Sequence, residues 1–115
     1  MTDRKATGTL GENMAAQHLQ KLGFSIICRN YRQPFGEIDI IAEKNNIVYF
    51  VEVKTRRNST YISPAENVDH RKRGQIARTA ATWFAEQGAE RDSALLVAEV
   101  RLDSGEILLI EDFLC

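Results

Sequence analysis

The sequence predicts an α/β fold of the α+β kind, in which helices flank a central mixed sheet. Two segments repeat apolar residues every three or four positions, as amphipathic helices do. Five others are short apolar or alternating runs of strand length, and turn-forming residues separate them. The resulting order is α-β-β-β-α-β-β. We expect a single domain, 1–115, because 115 residues fit one compact unit.

The first helix is predicted over 9–21, and Gly23 is a natural residue to end it. Its apolar stripe consists of Leu10, Met14, Ala15, Leu19 and Leu22. The next segment, 24–32, contains isoleucine and aromatic residues that favour a strand. The turn "QPFG" ends that strand.

Two further strands, 38–42 and 47–54, are predicted to form a hairpin. The connecting segment "EKNN" contains Asn45 and Asn46. Asparagine tolerates the positive φ that tight hairpin turns require. The turn therefore sets the register in which the two strands pair.

The second helix begins with a capping-box signature, which is formed by Ser63, Pro64 and Glu66. A second start at Asp69 is the alternative, and Gly88 ends the helix. Its buried stripe is predicted to be Ile76, Ala80, Trp83 and Phe84. Two strands, 94–102 and 106–113, then close the chain around a short turn.

The hairpin carries charged residues inside otherwise apolar strands. Its predicted register places Asp39 directly opposite Glu52. Opposed residues have Cβ atoms roughly 4.5–5.5 Å apart, and like charges at that separation destabilise a sheet. Glu37 lies opposite Lys54 in the same register, and we expect those two side chains to form an ion pair.

The opposed acids predict a site for a hard divalent cation. Oxygen ligands without imidazole or thiolate favour Mg²⁺ or Mn²⁺. Such an ion activates water and stabilises the charge that develops on a phosphate during phosphodiester hydrolysis. Lys54 would position or deprotonate the water, or steady the phosphate. The alternative is an ion-pair network of Asp39, Glu52, Lys54 and an arginine on a solvated face.

Several motifs resemble known proteins. An acid in one strand followed by Glu-x-Lys in the next resembles the PD-(D/E)xK nuclease superfamily, with Ile38 in place of that superfamily's proline. The element order matches the superfamily's restriction-endonuclease-like core, and "IDIIA…VEVKTRR" is similar to archaeal Holliday-junction resolvases. The motifs "GxxGE" at Gly8, "RNYR", "GEIDIIA" and "FVEVKTR" resemble the uncharacterised YraN family of bacterial proteins.

This resemblance implies a small endonuclease, dependent on Mg²⁺ or Mn²⁺, that hydrolyses DNA phosphodiester bonds, including those of branched DNA such as Holliday junctions. It assigns metal binding to Asp39, Glu52 and the carbonyl of Val53. It assigns to Lys54 the role of assisting the attacking water. Glu12 stands where a first-helix glutamate reaches the metal in related resolvases, although it could instead complement the helix dipole. A homodimer with two sites is expected, as in those resolvases.

Basic residues near the predicted site indicate a track for a nucleic-acid backbone. Arg56 and Arg57 follow the Glu-x-Lys motif directly. A second group lies at and beyond the start of the second helix, and consists of Arg71, Lys72, Arg73 and Arg78. For any one of these residues alone, a solvated face is the alternative. No base-reading module is recognised, so we expect recognition of backbone or shape.

The charge distribution supports an anionic partner. The formal net charge is −1, but segment 29–78 carries ten basic and six acidic residues. A basic middle between acidic ends is typical of a surface that meets a polyanion.

The composition also bears on the compartment. No apolar run approaches the length of a membrane span, and the N-terminal residues lack the apolar core of a signal peptide. Cys28 and Cys115 form no CxxC pair, and we expect reduced thiols. The predicted location is the cytoplasm, without a membrane partner.

Two other functions are weighed against the nuclease. The first is a non-catalytic nucleic-acid-binding protein that retains the nuclease fold, whose affinity for DNA would weaken with salt and survive the loss of Lys54. The second is an interaction module in which the acidic end, from Glu99 to Asp112, meets a protein partner. That module would not bind DNA at low salt.

Overall fold

The structure is a computed structural model, and it describes residues 4–57 and 70–112. It confirms the predicted order of helices and strands. The elements are α1 (Arg4–Lys21), β1 (Ser25–Gln33), β2 (Gly36–Lys44), β3 (Ile47–Arg56), α2 (His70–Gln87), β4 (Ser93–Arg101) and β5 (Ile107–Asp112).

The five strands form one mixed sheet in the order β1-β2-β3-β4-β5. Neighbouring strands are antiparallel except β3 and β4, which run parallel. Parallel neighbours need a long crossover, and α2 lies within the one that joins β3 to β4. The predicted mixed sheet with flanking helices is therefore confirmed.

Each face of the sheet is covered by one helix. On one face, α2 contributes its predicted stripe, which consists of Ile76, Ala80, Trp83 and Phe84, all buried. On the other face, α1 buries Ala15, Ala16 and Leu19. Phe50 of β3 packs edge-on against the rings of Trp83 and Phe84. Both helices therefore anchor to the central strands that carry the charged motif.

The predicted stripe of α1 is wrong at two positions. Leu10 is 50% exposed and Leu22 is 44% exposed. The helix turns a narrow row of small residues, Gly11, Ala15 and Ala16, toward the sheet. Because these small residues let α1 approach the sheet closely, Leu10 and Leu22 lie at the border of the interface and stay partly exposed.

The hairpin turn and its register agree with the prediction. Asn45 and Asn46 both have positive φ, 54° and 66°, as a two-residue turn between antiparallel strands requires. Pairing runs outward from the turn to the pair Ile40–Val51 and ends there. The ladder therefore stops one residue short of the two predicted cation ligands.

Some predictions concern residues that the structure does not describe. The capping box at Ser63, Pro64 and Glu66 and the second start at Asp69 lie outside the described residues. Cys28 is a free thiol, whereas Cys115 also lies outside them. Within 4–57 and 70–112, neither helix has the length and hydropathy needed to cross a membrane.

Gly11 sets the distance between α1 and β3. A Cβ atom on this residue would lie 2.9 Å from both Cβ and Cγ2 of Thr55, which is closer than carbon atoms pack. Glycine is therefore required at this point of the helix, although it lowers helix propensity. The close contact also fixes the neighbouring residue, Glu12, beside the sheet.

Replacing Gly11 tests this contact. Gly11→Ala should lower the free energy of unfolding by about 1–3 kcal/mol, because the methyl group overpacks the interface with Thr55. Gly8→Ala is the matched control in the same helix, since a Cβ there meets nothing within 4 Å. It should stabilise the protein by about 0.5–1 kcal/mol. Urea unfolding of both variants measures the difference, and equal effects would contradict the packing argument.

Candidate active site

The candidate site lies where the pairing of β2 with β3 ends. Ile38 and Ile41 pack on the α2 face of the sheet, whereas Ile40 packs on the α1 face. Strict alternation would place Ile38 with Ile40, so the alternation breaks at Asp39. The direct pairing of Asp39 with Glu52 is therefore not formed, and the prediction was wrong on this point because the ladder ends first.

Asn30 of β1 marks the same break from the other side. It has a positive φ of 54° inside a strand, a conformation that asparagine tolerates better than most residues. The β1–β2 register places it opposite Asp39. Its side chain lies near the carboxylate of Glu12 and lowers the pKa of that acid, against the larger effect of burial. The irregular backbone thus brings α1, β1 and β2 together at one point.

Asp39 is held by the backbone of β3. Its Oδ2 accepts a hydrogen bond from the Val53 N–H at 2.7 Å. Burial first, and the nearby charge of Glu52 second, raise the pKa of Asp39 to about 7, while the Val53 N–H opposes the shift. Asp39 therefore combines a largely buried position with a second acid nearby, an arrangement that a bound cation would stabilise.

The side chain of Glu52 lies on the face of the sheet that α2 covers. Its side chain is only 12% exposed, and its Oε1 lies 3.3 Å from the Nζ of Lys72. Lys72 is in the first turn of α2. The sequence suggested a phosphate-binding role for Lys72, but the structure places its ammonium group on the acid of the candidate site.

Glu12 approaches the site from α1. Its carboxylate lies 3.8 Å from Nη2 of Arg29, and burial raises its pKa although Arg29 counteracts the shift. Among the residues that the structure describes, no three side chains of His, Cys, Asp or Glu converge as a metal-binding group. Glu12 is thus near Asp39 without joining it and Glu52 in a three-acid cluster.

Lys54 lies on β3 two residues beyond Glu52, on the same face of the strand. Its neighbour in the parallel ladder is Glu99 of β4. The predicted ion pair between Lys54 and Glu37 is wrong. Glu37 instead pairs with Arg32, Nε to Oε2 at 3.0 Å, because both belong to the β1–β2 hairpin end.

The acidic end of the chain is engaged within the fold. Glu99 is buried, with 2% exposure, and its Oε1 lies 3.7 Å from Nε of Arg56. Asp112 forms an ion pair with Arg73. Glu99 therefore points into the protein, where its Oε1 is buried without a hydrogen-bond partner among the residues that the structure describes, and Asp112 pairs with α2. The protein-docking segment stays a prediction.

The predicted backbone track divides into two groups. Arg56, Lys72 and Arg73 each contact an acid of the protein. The other three predicted residues, Arg57, Arg71 and Arg78, are exposed.

The donor set at this point fits a hard divalent cation. Asp39 and Glu52 supply carboxylate oxygens, and Mg²⁺ in proteins is commonly bound through one or two carboxylates. A cation between them would offset the charge repulsion that raises the pKa of Asp39. The observed pair therefore suits Mg²⁺ or Mn²⁺ better than a site that requires imidazole or thiolate.

Three features of this site were not predicted. The contact of Lys72 with Glu52 depends on how closely α2 packs on the sheet, which no local pattern encodes. Buried Glu99 could have been suspected from its position within the apolar run "ALLVAEV". The left-handed Asn30 carries only the weak signal that asparagine is the residue most often found there.

Comparisons with known proteins place this geometry in context. The model of the family described as "Uncharacterised protein family UPF0102" matches residues 11–107. A UPF0102 protein of Alkaliphilus metalliredigens is 41% identical over 105 residues, which cover 91% of this chain and 87% of that protein. One of Moorella thermoacetica is 42% identical over 104 residues, covering 90% and 87%.

One solved structure shares the fold. It is Hjc of Archaeoglobus fulgidus, a Holliday junction resolvase from an archaeal hyperthermophile. The TM-score is 0.51 and the sequence identity is 24%, over 90% of this chain and 75% of that one. The similarity supports the predicted restriction-endonuclease-like arrangement of the sheet and helices.

The raised pKa of Asp39 predicts a pH-dependent stability. Folding favours the protonated acid, so the penalty is absent below the ordinary pKa of 3.8 and grows as the pH rises toward about 7. In EDTA, Asp39→Asn should therefore raise the free energy of unfolding by about 1–3 kcal/mol at about pH 8, and the gain should shrink toward about pH 4.

Urea unfolding across this pH range provides the measurement. Glu90→Gln is the control, because Glu90 is an exposed acid outside the site, and it should change stability by less than about 0.5 kcal/mol at either pH. A destabilised Asp39→Asn at high pH would show that the carboxylate is not strained by its surroundings.

Proposed function

The chain belongs to the uncharacterised protein family UPF0102, and from its candidate site we propose that it is an endonuclease dependent on Mg²⁺ or Mn²⁺. Its proposed reaction is hydrolysis of DNA phosphodiester bonds. Branched DNA, such as a Holliday junction, is the proposed preferred substrate. The proposal draws this preference from the shared fold with a resolvase.

One observation carries the proposal. The carboxyl groups of Asp39 and Glu52 lie together at the end of a strand pairing, and their proximity helps to raise the pKa of Asp39 to about 7. Lys54 stands on the same strand face as Glu52. Paired acids beside a lysine, on interior strands of an otherwise apolar sheet, are costly for a purely structural role. They are well suited to hold a cation at a phosphate.

The proposed cation ligands are the carboxylates of Asp39 and Glu52 and the carbonyl of Val53. When bound, the cation would lower the pKa of a coordinated water and stabilise charge on the phosphate. The Val53 N–H keeps Asp39 oriented through its 2.7 Å hydrogen bond, so one residue of β3 both fixes an acid and offers its own carbonyl.

Lys54 and Glu12 have supporting roles in the proposal. The ammonium group of Lys54 orients the attacking water or steadies a phosphate oxygen, which requires a positive charge near the two acids. Glu12 is an auxiliary acid, since it is close enough for its charge to raise the pKa of Asp39. Its pairing with Arg29 at 3.8 Å is loose, so the carboxylate is not held by a short ion pair.

The exposed basic residues are proposed to hold the DNA backbone. Arg57 follows β3, and Arg71 and Arg78 lie along α2. All three side chains are exposed, so phosphate groups can approach them. We also propose a homodimer, because two sites would be needed to cut opposite strands of a junction. The proposed location is the cytoplasm.

Cleavage assays test the proposed activity. End-labelled four-way junction, flap, single strand and linear duplex should be incubated with the protein and Mg²⁺, Mn²⁺, Ca²⁺ or EDTA. We expect cutting with Mg²⁺ or Mn²⁺ only, and fastest on the junction. Asp39→Asn and Lys54→Ala should each lower the rate by about 100-fold or more, because each removes charge that stabilises the transition state.

Matched controls make this result specific. Glu90→Gln and Lys21→Ala remove exposed charges of the same kind outside the site, and both should retain the parent rate. Metal-dependent cutting that persists in Asp39→Asn would point to a contaminating nuclease. Binding without cutting in every metal would favour the non-catalytic nucleic-acid-binding protein instead.

The proposed backbone track is tested by the salt dependence of binding. With Ca²⁺ present to allow binding, Arg71→Gln and Arg78→Gln should each reduce the slope of log affinity against log salt by about 1. Arg91→Gln is the control, because Arg91 pairs with Glu43 at the opposite end of β2. Fluorescence anisotropy of a labelled duplex gives the slopes, and unchanged slopes in the α2 variants would place the DNA elsewhere.

A further inference from the structure

Glu52 already has a cationic partner within the protein itself. Its Oε1 lies 3.3 Å from the Nζ of Lys72, a residue of the facing helix. Asp39, by contrast, accepts a hydrogen bond from the Val53 N–H, and this neutral donor does not cancel the charge of the carboxylate. The two acids of the candidate site therefore differ: among the described residues, an ion pair with a lysine is formed by Glu52 and not by Asp39.

The exposures of the two partners decide what this ion pair can do. The side chain of Glu52 is 12% exposed, whereas that of Lys72 is 42% exposed. A largely buried carboxylate is costly without a counter-charge, so Glu52 needs a cation at all times. Lys72 has a flexible stem and a strongly hydrated head, and it is exposed enough to leave.

We propose that Lys72 is a resident counter-ion of Glu52 that competes with the divalent cation for this carboxylate and moves to a nucleic-acid phosphate when the cation binds. The inference rests on the proposed function, since it takes Asp39 and Glu52 as the cation ligands. Two cations beside one largely buried carboxylate repel each other, so either Lys72 or the metal occupies it.

The exchange couples metal binding to DNA binding. A phosphate that attracts Lys72 frees Glu52 for the metal, and a metal on Glu52 frees Lys72 for the phosphate. Such coupling is reciprocal by thermodynamic necessity. The same lysine therefore disfavours metal uptake by the empty protein and favours it once DNA is present. This assigns Lys72 a different role from Arg71 and Arg78, which face solvent.

Direct measurement of Mn²⁺ binding tests the inference without any activity assay. Electron paramagnetic resonance of free Mn²⁺ gives the dissociation constant in the absence of DNA. Lys72→Gln should bind Mn²⁺ about ten-fold more tightly than the parent, within the usual range of coupling between sites. Lys72→Arg keeps the charge and should stay near the parent value. Lys21→Gln removes an exposed charge at the end of α1 and should change binding less than about two-fold.

A second readout separates exchange from a general charge effect. A short DNA duplex should tighten Mn²⁺ binding by a larger factor in the parent than in Lys72→Gln, because the variant has no lysine to displace. Equal factors, or unchanged Mn²⁺ affinity in Lys72→Gln, would overturn the inference.

Asp39→Asn distinguishes failure of the inference from failure of the proposed function. If the parent binds Mn²⁺ and Asp39→Asn does not, the metal site stands, and only the Lys72 result decides the exchange. If neither the parent nor Lys72→Gln binds Mn²⁺ at millimolar concentrations, both proposals are overturned.

Discussion

The hydrogen bond from the Val53 N–H to Asp39 forms where the backbone pairing of β2 with β3 ends. β3 continues beyond that point beside β4, with which it pairs from Val48 to Arg56. Its edge toward β2 would then carry an N–H without a strand partner, and a buried N–H needs an acceptor. The Asp39 carboxylate supplies that acceptor. The acid is therefore part of the sheet, and its burial follows from this position.

The charges of the site follow from that burial. Burial first, and the charge of Glu52 second, raise the pKa of Asp39, and Lys72 supplies a counter-charge to Glu52. A site of this kind lowers the stability of the metal-free fold, as functional sites commonly do. The apolar contacts on both faces of the sheet offset that loss, because α1 and α2 each cover one face with a separate cluster.

The two helices bring opposite charges to the same end of the sheet. Gly11 lets α1 approach Thr55 closely, which places Glu12 beside β2. The first turn of α2 brings Lys72 from the other face. An acid from one side and a base from the other thus frame the strand acids. In the proposed nuclease, the acids of this arrangement would hold the cation, and Lys72 would be the base that a phosphate attracts.

The sequence by itself determined the order of elements, the Asn45-Asn46 turn and the residues of the acid pair, because periodicity, turn chemistry and charge within apolar strands are local signals. It also determined the buried stripe of α2. Only the tertiary structure decided which charges meet. The β2–β3 ladder ends before it reaches Asp39 and Glu52, so their expected pairing is absent from it. The packing of α2 on the sheet brings Lys72 to Glu52, and the two form an ion pair. Such contacts join segments far apart in the chain, and their distances depend on how closely whole elements pack.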